Sequence, residues 1–597
     1  MLRKTLLPTI CIMLAWGFWI SPEFKTIVAG ASIFLFGMLS LEQGLQAFTG
    51  GIMERILKNT TDKLWKSLSL GVVSTTLMQS STLVSVISIS FLSAGLIDLV
   101  SGVGIIFGAN IGTTTGAWLV AGLGLKVKIS AYAMPMLAFG VLFQFQSSRN
   151  LKGIGYILLG LGFLFLGIHY MKEGFETFKD SFDLARFAVA GYPGLLLFAS
   201  IGIAATVVMQ SSHATLVLTI TALAAGQITY ENGLALAIGA NVGTTITAII
   251  SAMSANEQGK RLAVAHMIFN VLTGLITIVF IYQMMAAVDW ISAHTGIAND
   301  DYTLKLAVFH TLFNIVGVVV MLPFIGMLVK LLEGMFKPRD TLESQPKYLT
   351  DSAIDYPDTA LEAIRKETLR VWDHVIDTLS GVFGFERGQI CSDTDLAAVA
   401  QSQRKLPDFD VDAAYKQLIK PLYGAIITFI SRAGFSWQEV QSGDIYWLRE
   451  ANQNMADTMK ASKRLHKKFV AAAASTDEEQ RAIYNAMRVQ LSLLIRKLEE
   501  IRLASVDESP VLSLDHLRLI QDEYCEEFNE RMATAMAEGR MSGELTISVL
   551  NASNQVQEIF NKLVDMGETL FVRHNRNLSE AEREVLLSED ELREIDN

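Results

Sequence analysis

Charge is missing from the two stretches of this sequence that most resemble each other. Residues 69–95 and 200–226 contain no lysine, arginine, aspartate or glutamate, and the nearest carboxylate, Asp98, lies just past the first stretch. A site built there is neutral and can offer a ligand only hydroxyl, amide and backbone groups together with helix ends. Cysteine is scarce as well. Cys11, Cys391 and Cys525 show neither metal-ligand spacing nor a paired framework, which excludes a disulfide scaffold and suits a reducing compartment for the polar part of the chain. No small-x-small cleavage site closes the apolar run that follows Leu2-Arg3-Lys4 and ends at Ile20, so this run is expected to remain as a first span. No nucleophile–base pair or metal triad occurs near the two neutral stretches, which argues against an enzyme and against a bound cofactor.

What is present is one phrase stated twice. Met78-Gln79-Ser80-Ser81 is followed by Gly108-Ala109-Asn110-Ile111-Gly112-Thr113-Thr114, and Met209-Gln210-Ser211-Ser212 is followed by Gly239-Ala240-Asn241-Val242-Gly243-Thr244-Thr245. From Gly71 to Val120 and from Gly202 to Ser251 the copies align without a gap, with roughly 20 of about 50 positions identical. Serines that serve only close helix packing would need neither a paired glutamine nor a second copy at the same spacing. Each Gln-Ser-Ser sits midway between two glycines, Gly71 and Gly95 or Gly202 and Gly226. The two halves are then about ten residues each, whereas a helix needs roughly 20 to cross a bilayer. The expected structure is a re-entrant hairpin whose polar tip is buried in protein or lines a water-filled cavity, because lipid cannot satisfy an exposed backbone.

With 597 residues, 51% of them hydrophobic, the chain is too apolar for a soluble protein, yet the apolar runs stop near Phe336. Full spans are expected at about 5–20, 27–41, 99–121, 127–146, 151–171, 233–253, 262–285 and 304–333, with amphipathic segments at 43–60 and 173–190. Three spans separate the hairpins, so the hairpins enter from opposite faces and the repeats, about 27–147 and 158–285, are inverted, an arrangement common in secondary transporters. Placing the N-terminus inside puts about 13 Lys and Arg in inner segments, among them Arg55, Lys58, Lys260, Arg261 and Arg339, against about 7 outside. Both termini are then cytoplasmic.

The expected fold class is all-α, a polytopic membrane domain over 1–340 and a helical bundle over 341–597. Residues 1–340 hold 20 Lys and Arg against 16 Asp and Glu, while 341–597 hold 29 against 44, which argues against nucleic acid as a partner of the tail. Helical periodicity runs through about 358–384, 410–435, 442–473, 476–505, 513–539, 543–574 and 579–594. Asp373 and Asp377, like Asp522, Glu526 and Glu530, are carboxylates one turn apart; acidic helix faces of this kind are usually solvated.

Neutral oxygens can hold a hard monovalent cation, and half-helix N-termini can face an anion, so a pair of hairpins can hold both. An anion entering low dielectric needs compensation, which a cation bound beside it supplies. The duplicated phrase resembles that of the type II sodium–phosphate cotransporters, whose bacterial branch often carries a C-terminal PhoU-like domain, which the tail resembles. The resemblance implies sodium as coupling ion, phosphate as cargo and a cytoplasmic-membrane location. It also implies that Gln79, Ser80, Ser81, Thr82, Gln210, Ser211 and Ser212 line the sites, with Asn110, Thr113, Thr114, Asn241, Thr244 and Thr245 bracing the hairpins or adding ligands. Thr82 and His213 stand where that family usually has a third serine; His213 puts a titratable ring at the second tip. PhoU-like proteins can bind metal clusters, for which Asp373 and Asp377 are weak candidates. His266-x-x-Phe269-Asn270 and His310-x-x-Phe313-Asn314 recur on two later spans, either as packing hydrogen bonds or in transport.

The resulting expectation is a sodium:phosphate symporter with a regulatory cytoplasmic domain, in contact with membrane lipid and with either a cytoplasmic regulatory protein or a second copy through the tail. The alternatives are an exporter of phosphate or another small anion, and a membrane phosphate sensor signalling through the tail.

Overall fold

Among the described residues, seven helices are long and apolar enough to cross a membrane, which makes this a multi-pass membrane protein. They appear in a computed structural model that describes residues 2–49, 63–124, 130–181, 188–253, 255–337, 343–354, 356–407, 409–433, 442–503, 510–538 and 541–572. Arg55, Lys58, Arg339, most of the expected amphipathic segment 43–60 and the expected helix 579–594 lie outside the described residues. All regular structure among the described residues is helical. The chain forms two compact units, Met1–Pro338 with Thr350–Thr359, and Arg339–Leu349 with Ala360–Asn597.

In the first unit the order is α1 (Leu2–Ile20), α2 (Pro22–Thr49), the first hairpin α3 (Leu64–Met78) and α4 (Ser81–Ser93), α5 (Leu99–Gly112), α6 (Thr114–Trp118) and α7 (Ser130–Gln144). The second repeat follows as α8 (Arg149–Ser181), the hairpin α9 (Gly191–Met209) and α10 (Ser212–Ala224), α11 (Tyr230–Ala252) and α12 (Glu257–Val279). Three further helices close it: α13 (Ile281–Thr295), α14 (Tyr302–Met321) and α15 (Ile325–Met335). Many starts are written locally. Asp98, Thr229, Asn256 and Asp301 each accept a backbone N–H three residues on, the side-chain capping that satisfies a helix's first donors.

The inverted symmetry is visible in how α2 meets α8. A Cβ on Gly30 would lie 2.6 Å from the Met171 nitrogen, one on Gly37 2.6 Å from that of Leu164, and one on Gly44 2.7 Å from that of Ile157. Numbers rise on one helix as they fall on the other, so the helices are antiparallel and in backbone contact. The same holds in reverse for Gly160, Gly167 and Gly174 against Leu41, Phe34 and Ile27. Such a reciprocal pairing is what a two-fold axis between the repeats produces.

Three expectations need correction. The hairpin arms are 15 and 13 residues in the first copy and 19 and 13 in the second, longer than the ten or so expected. Gly71 and Gly202 lie inside the first arms, where a Cβ would come within 2.1 Å of the Ile105 carbonyl oxygen and 2.4 Å of that of Leu236. They are close-packing points, which from sequence read as boundaries. Even so, the 13-residue second arms, roughly 20 Å long at 1.5 Å per residue, cannot cross. Secondly, the spans expected at 27–41 and 151–171 are parts of longer helices: α2 runs on to Thr49 and α8 to Ser181, each into the start of its expected amphipathic segment. Thirdly, the span expected at 262–285 breaks at Phe280 into α12 and α13.

Burial within the unit is uneven in a way that places the hairpins. Only 28% of the apolar window of α9 is buried, with Leu196, Leu197 and Ile201 facing outward, whereas 72% of that over 99–122 is buried. Nearly all of α4 from Val84 onward and of α10 is buried as well. The second arms and the spans after them therefore form the centre, as a re-entrant tip requires.

The second unit is built on α16 (Pro357–Phe383), α17 (Ser442–Ala474), α18 (Glu478–Leu503), α19 (Pro510–Ala537) and α20 (Gly543–Gly567), with shorter helical pieces between Arg387 and Ala433. Its core includes Trp372, whose Nε1 donates to Glu499 Oε1 at 3.0 Å.

Candidate functional site

Both tips are built alike. Gln79 ends α3 with φ 51° and ψ 23°, and Gln210 ends α9 with φ 54° and ψ 24°; they are the only non-glycine residues with positive φ among the described residues. The next residue caps the returning arm. Ser80 Oγ accepts the Leu83 N–H at 3.2 Å, and Ser211 Oγ accepts that of Ala214 at 3.1 Å. A left-handed glutamine followed by a capping serine reverses the chain in two residues. Each tip thus sets the carbonyl end of one helix beside the N–H end of another, so opposite ends of two helix dipoles are adjacent.

The remaining tip residues divide by what already engages them. Gln79 Nε2 donates to the Thr76 carbonyl at 2.6 Å and to Thr115 Oγ1 at 3.1 Å, which leaves its Oε1 for a ligand. Ser81, Thr82, Gln210, Ser212 and His213 make no hydrogen bond to the described residues. The bracing set is occupied. Thr113 and Thr114 donate to the Ala109 and Ile111 carbonyls of α5, Thr244 and Thr245 donate to carbonyls of α11, and Asn110 donates to the Ile106 carbonyl at 2.8 Å. Asn241 differs: its Nδ2 donates to Asn314 Oδ1 at 3.1 Å, and its Oδ1 lies 3.2 Å from His310 Nε2. The asparagine of the second repeat and the recurrent His-x-x-Phe-Asn of α14 therefore form one buried network. On α12 the equivalent His266 Nδ1 and Asn270 Oδ1 have no partner.

The tips converge on α2. Gln79 and Ser80 of the first tip and His213 of the second line one cavity of about 20 Å³, which also touches Phe34, Met38 and Glu42 of α2. Ser211 Oγ lies 4.0 Å from Met38 Sδ. His213 stacks on Phe34, with ring centroids 5.8 Å apart and 7° between planes, and a Cβ on Gly116 would fall 1.8 Å from its Cε1. Gly116 aligns with Thr247 of the other repeat, so the larger side chain at 213 is accommodated by the smaller one at 116. Glu42 was not foreseen. It lies upstream of the gapless block that begins at Gly71, and no local spacing ties it to the tips. The structure gives the otherwise neutral site a carboxylate.

Asp373 and Asp377 are not free to hold a metal. Arg387 reaches Asp373 at 2.9 Å, Asp377 at 3.1 Å and Glu499 at 2.8 Å, and Arg502 adds a contact to Asp373 at 2.6 Å. Burial pushes the Asp373 carboxyl up, but its bonds to the two guanidinium groups outweigh that and hold it below the usual carboxylate range. The acidic spacing is one side of an ion-pair cluster, whose arginines are the nearby Arg387 and the distant Arg502. The side chain of Asp522 lies outside those described.

Comparison with known proteins adds to this geometry. The family described as Na+/Pi-cotransporter matches residues 33–173 and 195–298. "Putative inorganic phosphate export protein YjbB" of Escherichia coli K12 is 26% identical over 400 residues, covering 65% of this chain and 68% of that one. The protein of the same name from Salmonella typhimurium is 25% identical over the same length. "Uncharacterized protein YqeW" of Bacillus subtilis is 31% identical over 122 residues, which cover 20% of this chain and 38% of that one. No solved structure matches.

Proposed function

We propose that this chain, whose residues 33–173 and 195–298 match the Na+/Pi-cotransporter family, carries inorganic phosphate across the cytoplasmic membrane together with sodium. The observation that carries this reading is the convergence of the two tips on one cavity wall, with Gln79, Ser80 and His213 around the same space. Phosphate sits at the N–H ends of α4 and α10, which favour an anion, beside the unengaged hydroxyls of Ser81, Thr82 and Ser212. Sodium sits at the carbonyl ends of α3 and α9, where discontinuous helices hold such ions. The inverted pairing of α2 and α8 supports a rocking of one repeat against the other that exposes this place to each side in turn. The termini are cytoplasmic, and the second unit is a regulatory domain.

A second reading, outward transport of phosphate, is favoured by the name of the E. coli relative, a phosphate export protein. Uptake of radiolabelled phosphate into proteoliposomes tests coupling and direction together. An inward sodium gradient should accelerate accumulation well above a choline control. Equal flux in sodium and choline removes the coupling, and flux that proceeds only against the sodium gradient favours the exporter.

A further inference from the structure

Glu42 lies half-buried on α2, in the wall of the tip cavity, with no hydrogen bond or ion pair to the described residues. Among the described residues the rest of that wall is apolar apart from Gln79, Ser80 and His213, and none of them is a lysine or arginine. An ionisable residue at membrane depth is costly unless paired, and such residues mark ion pathways. Since the described residues offer none, a partner from solution can fill that role, and its sign is fixed. A bare carboxylate beside a phosphate site repels the cargo, so what neutralises Glu42 is a cation.

The surroundings select a small one. The cavity of about 20 Å³ has room for a single water-sized body. Gln79 Oε1 is left unengaged after both amide bonds are made from Nε2. Ser80 Oγ retains a lone pair beyond the one that caps α4. The carbonyl end of α3 points negative potential at the same place. A second feature marks the space as a ligand's: His213 is only 9% exposed, makes no hydrogen bond and lines this cavity, held there by Phe34 and Gly116. A buried polar ring without a partner carries a desolvation cost of its own, beside that of the carboxylate with which it shares the cavity.

We propose that Glu42 is the anionic anchor of a sodium site in this cavity, completed by Gln79 Oε1 and Ser80 Oγ of the first tip. This rests on the transport reading above and deepens it. It makes the pair of sites unequal, because Glu42 aligns with Lys172 in the second repeat, and that lysine faces Glu176 at 3.9 Å on an exposed surface. One tip then holds a cation by charge, and the other has only neutral groups. Sodium occupies the Glu42 site first and removes the repulsion that keeps phosphate away.

The test is equilibrium binding of ²²Na+ to the purified full-length chain, without phosphate, for the wild type, Glu42→Gln and Glu42→Asp. Glu42→Gln keeps the shape and removes the charge, so its sodium affinity should fall at least tenfold; Glu42→Asp keeps the charge but shortens the reach, and should fall severalfold. Thermal melting and size exclusion report whether each variant is folded, and Glu42→Asp alone suffices should Glu42→Gln not fold. Unchanged affinity in a folded variant overturns the proposal, as does a wild type that binds no sodium. Phosphate uptake by the wild type, measured separately, judges the transport reading: a protein that carries phosphate with Glu42→Gln binding sodium normally keeps that reading and loses this site.

Discussion

At the scale of single residues, the glutamines at the tips carry a measurable backbone strain. A non-glycine residue in the left-handed region costs roughly 1–2 kcal/mol, yet Gln79 and Gln210 both adopt it. Glycine would do so without that cost. The side chain therefore has to contribute something the turn itself does not need, most plainly for Gln210, which makes no hydrogen bond to the described residues. Gln210→Gly should leave the thermal midpoint unchanged or higher while weakening phosphate transport, with a loss of about 1–3 kcal/mol for the ligand left unsatisfied, or one to two decades in apparent affinity. Gln79→Gly should lose transport likewise with less gain in stability, since its amide bonds to Thr76 and Thr115 go too. A Gln210→Gly protein with normal transport would show the phrase to be scaffold. These residues were legible in the sequence because the phrase occurs twice. Glu42 and Gly116 were not, because each acquires meaning only from what packs against it: the tip cavity for one, the His213 ring for the other.

At the scale of elements, close helix contact explains both what the sequence disclosed and what it concealed. The hairpins and the inversion were legible from the duplication and an odd count of spans. The arm lengths were not, since a glycine that ends a helix and one that lets two helices touch look alike in a single chain. The structure separates them by what a Cβ would meet. On Gly37 it would lie 2.6 Å from the Leu164 nitrogen and 2.8 Å from the Gly160 carbonyl oxygen, both rigid backbone; on Gly326 of α15 it would meet nothing within 4 Å. The same substitution should then have opposite signs at the two places. Gly326→Ala should stabilise by up to about 1 kcal/mol through helix propensity, whereas Gly37→Ala must push α2 and α8 apart and should cost about 1–3 kcal/mol, as overpacking does. Melting of both proteins in detergent checks this. Since α2 also carries Met38 and Glu42 to the tips, Gly37→Ala should lower phosphate flux as well. Equal stability of the two variants would mean that the antiparallel contact has slack.

At the scale of the whole molecule, the boundary between the two units decides where the transport core can be cut. Composition changes near 340, which makes a protein ending there the natural choice from sequence. The first unit, however, takes up the chain again over Thr350–Thr359. In that segment Tyr356 packs against the buried apolar cluster that includes Phe91, Leu92, Phe107 and Phe269, the core around the first hairpin. Hydropathy could not show this, because a single aromatic residue in a polar stretch carries no periodic signal, and the cluster it packs against draws on helices from across the whole membrane part of the chain. Tyr356 is partly buried there, and partial burial of such a ring contributes on the order of 1 kcal/mol, still a noticeable share of the stability of a domain. A protein comprising residues 1–359 should insert, melt near the full-length membrane unit and carry phosphate in proteoliposomes. One comprising residues 1–340 should insert but melt several degrees lower, and Tyr356→Ala in the longer protein should reproduce most of that drop. If 1–340 and 1–359 melt alike, the segment is only a tether and the core ends where the composition changes. If neither inserts, the second unit is structurally part of the carrier, and regulation by a separable domain is ruled out.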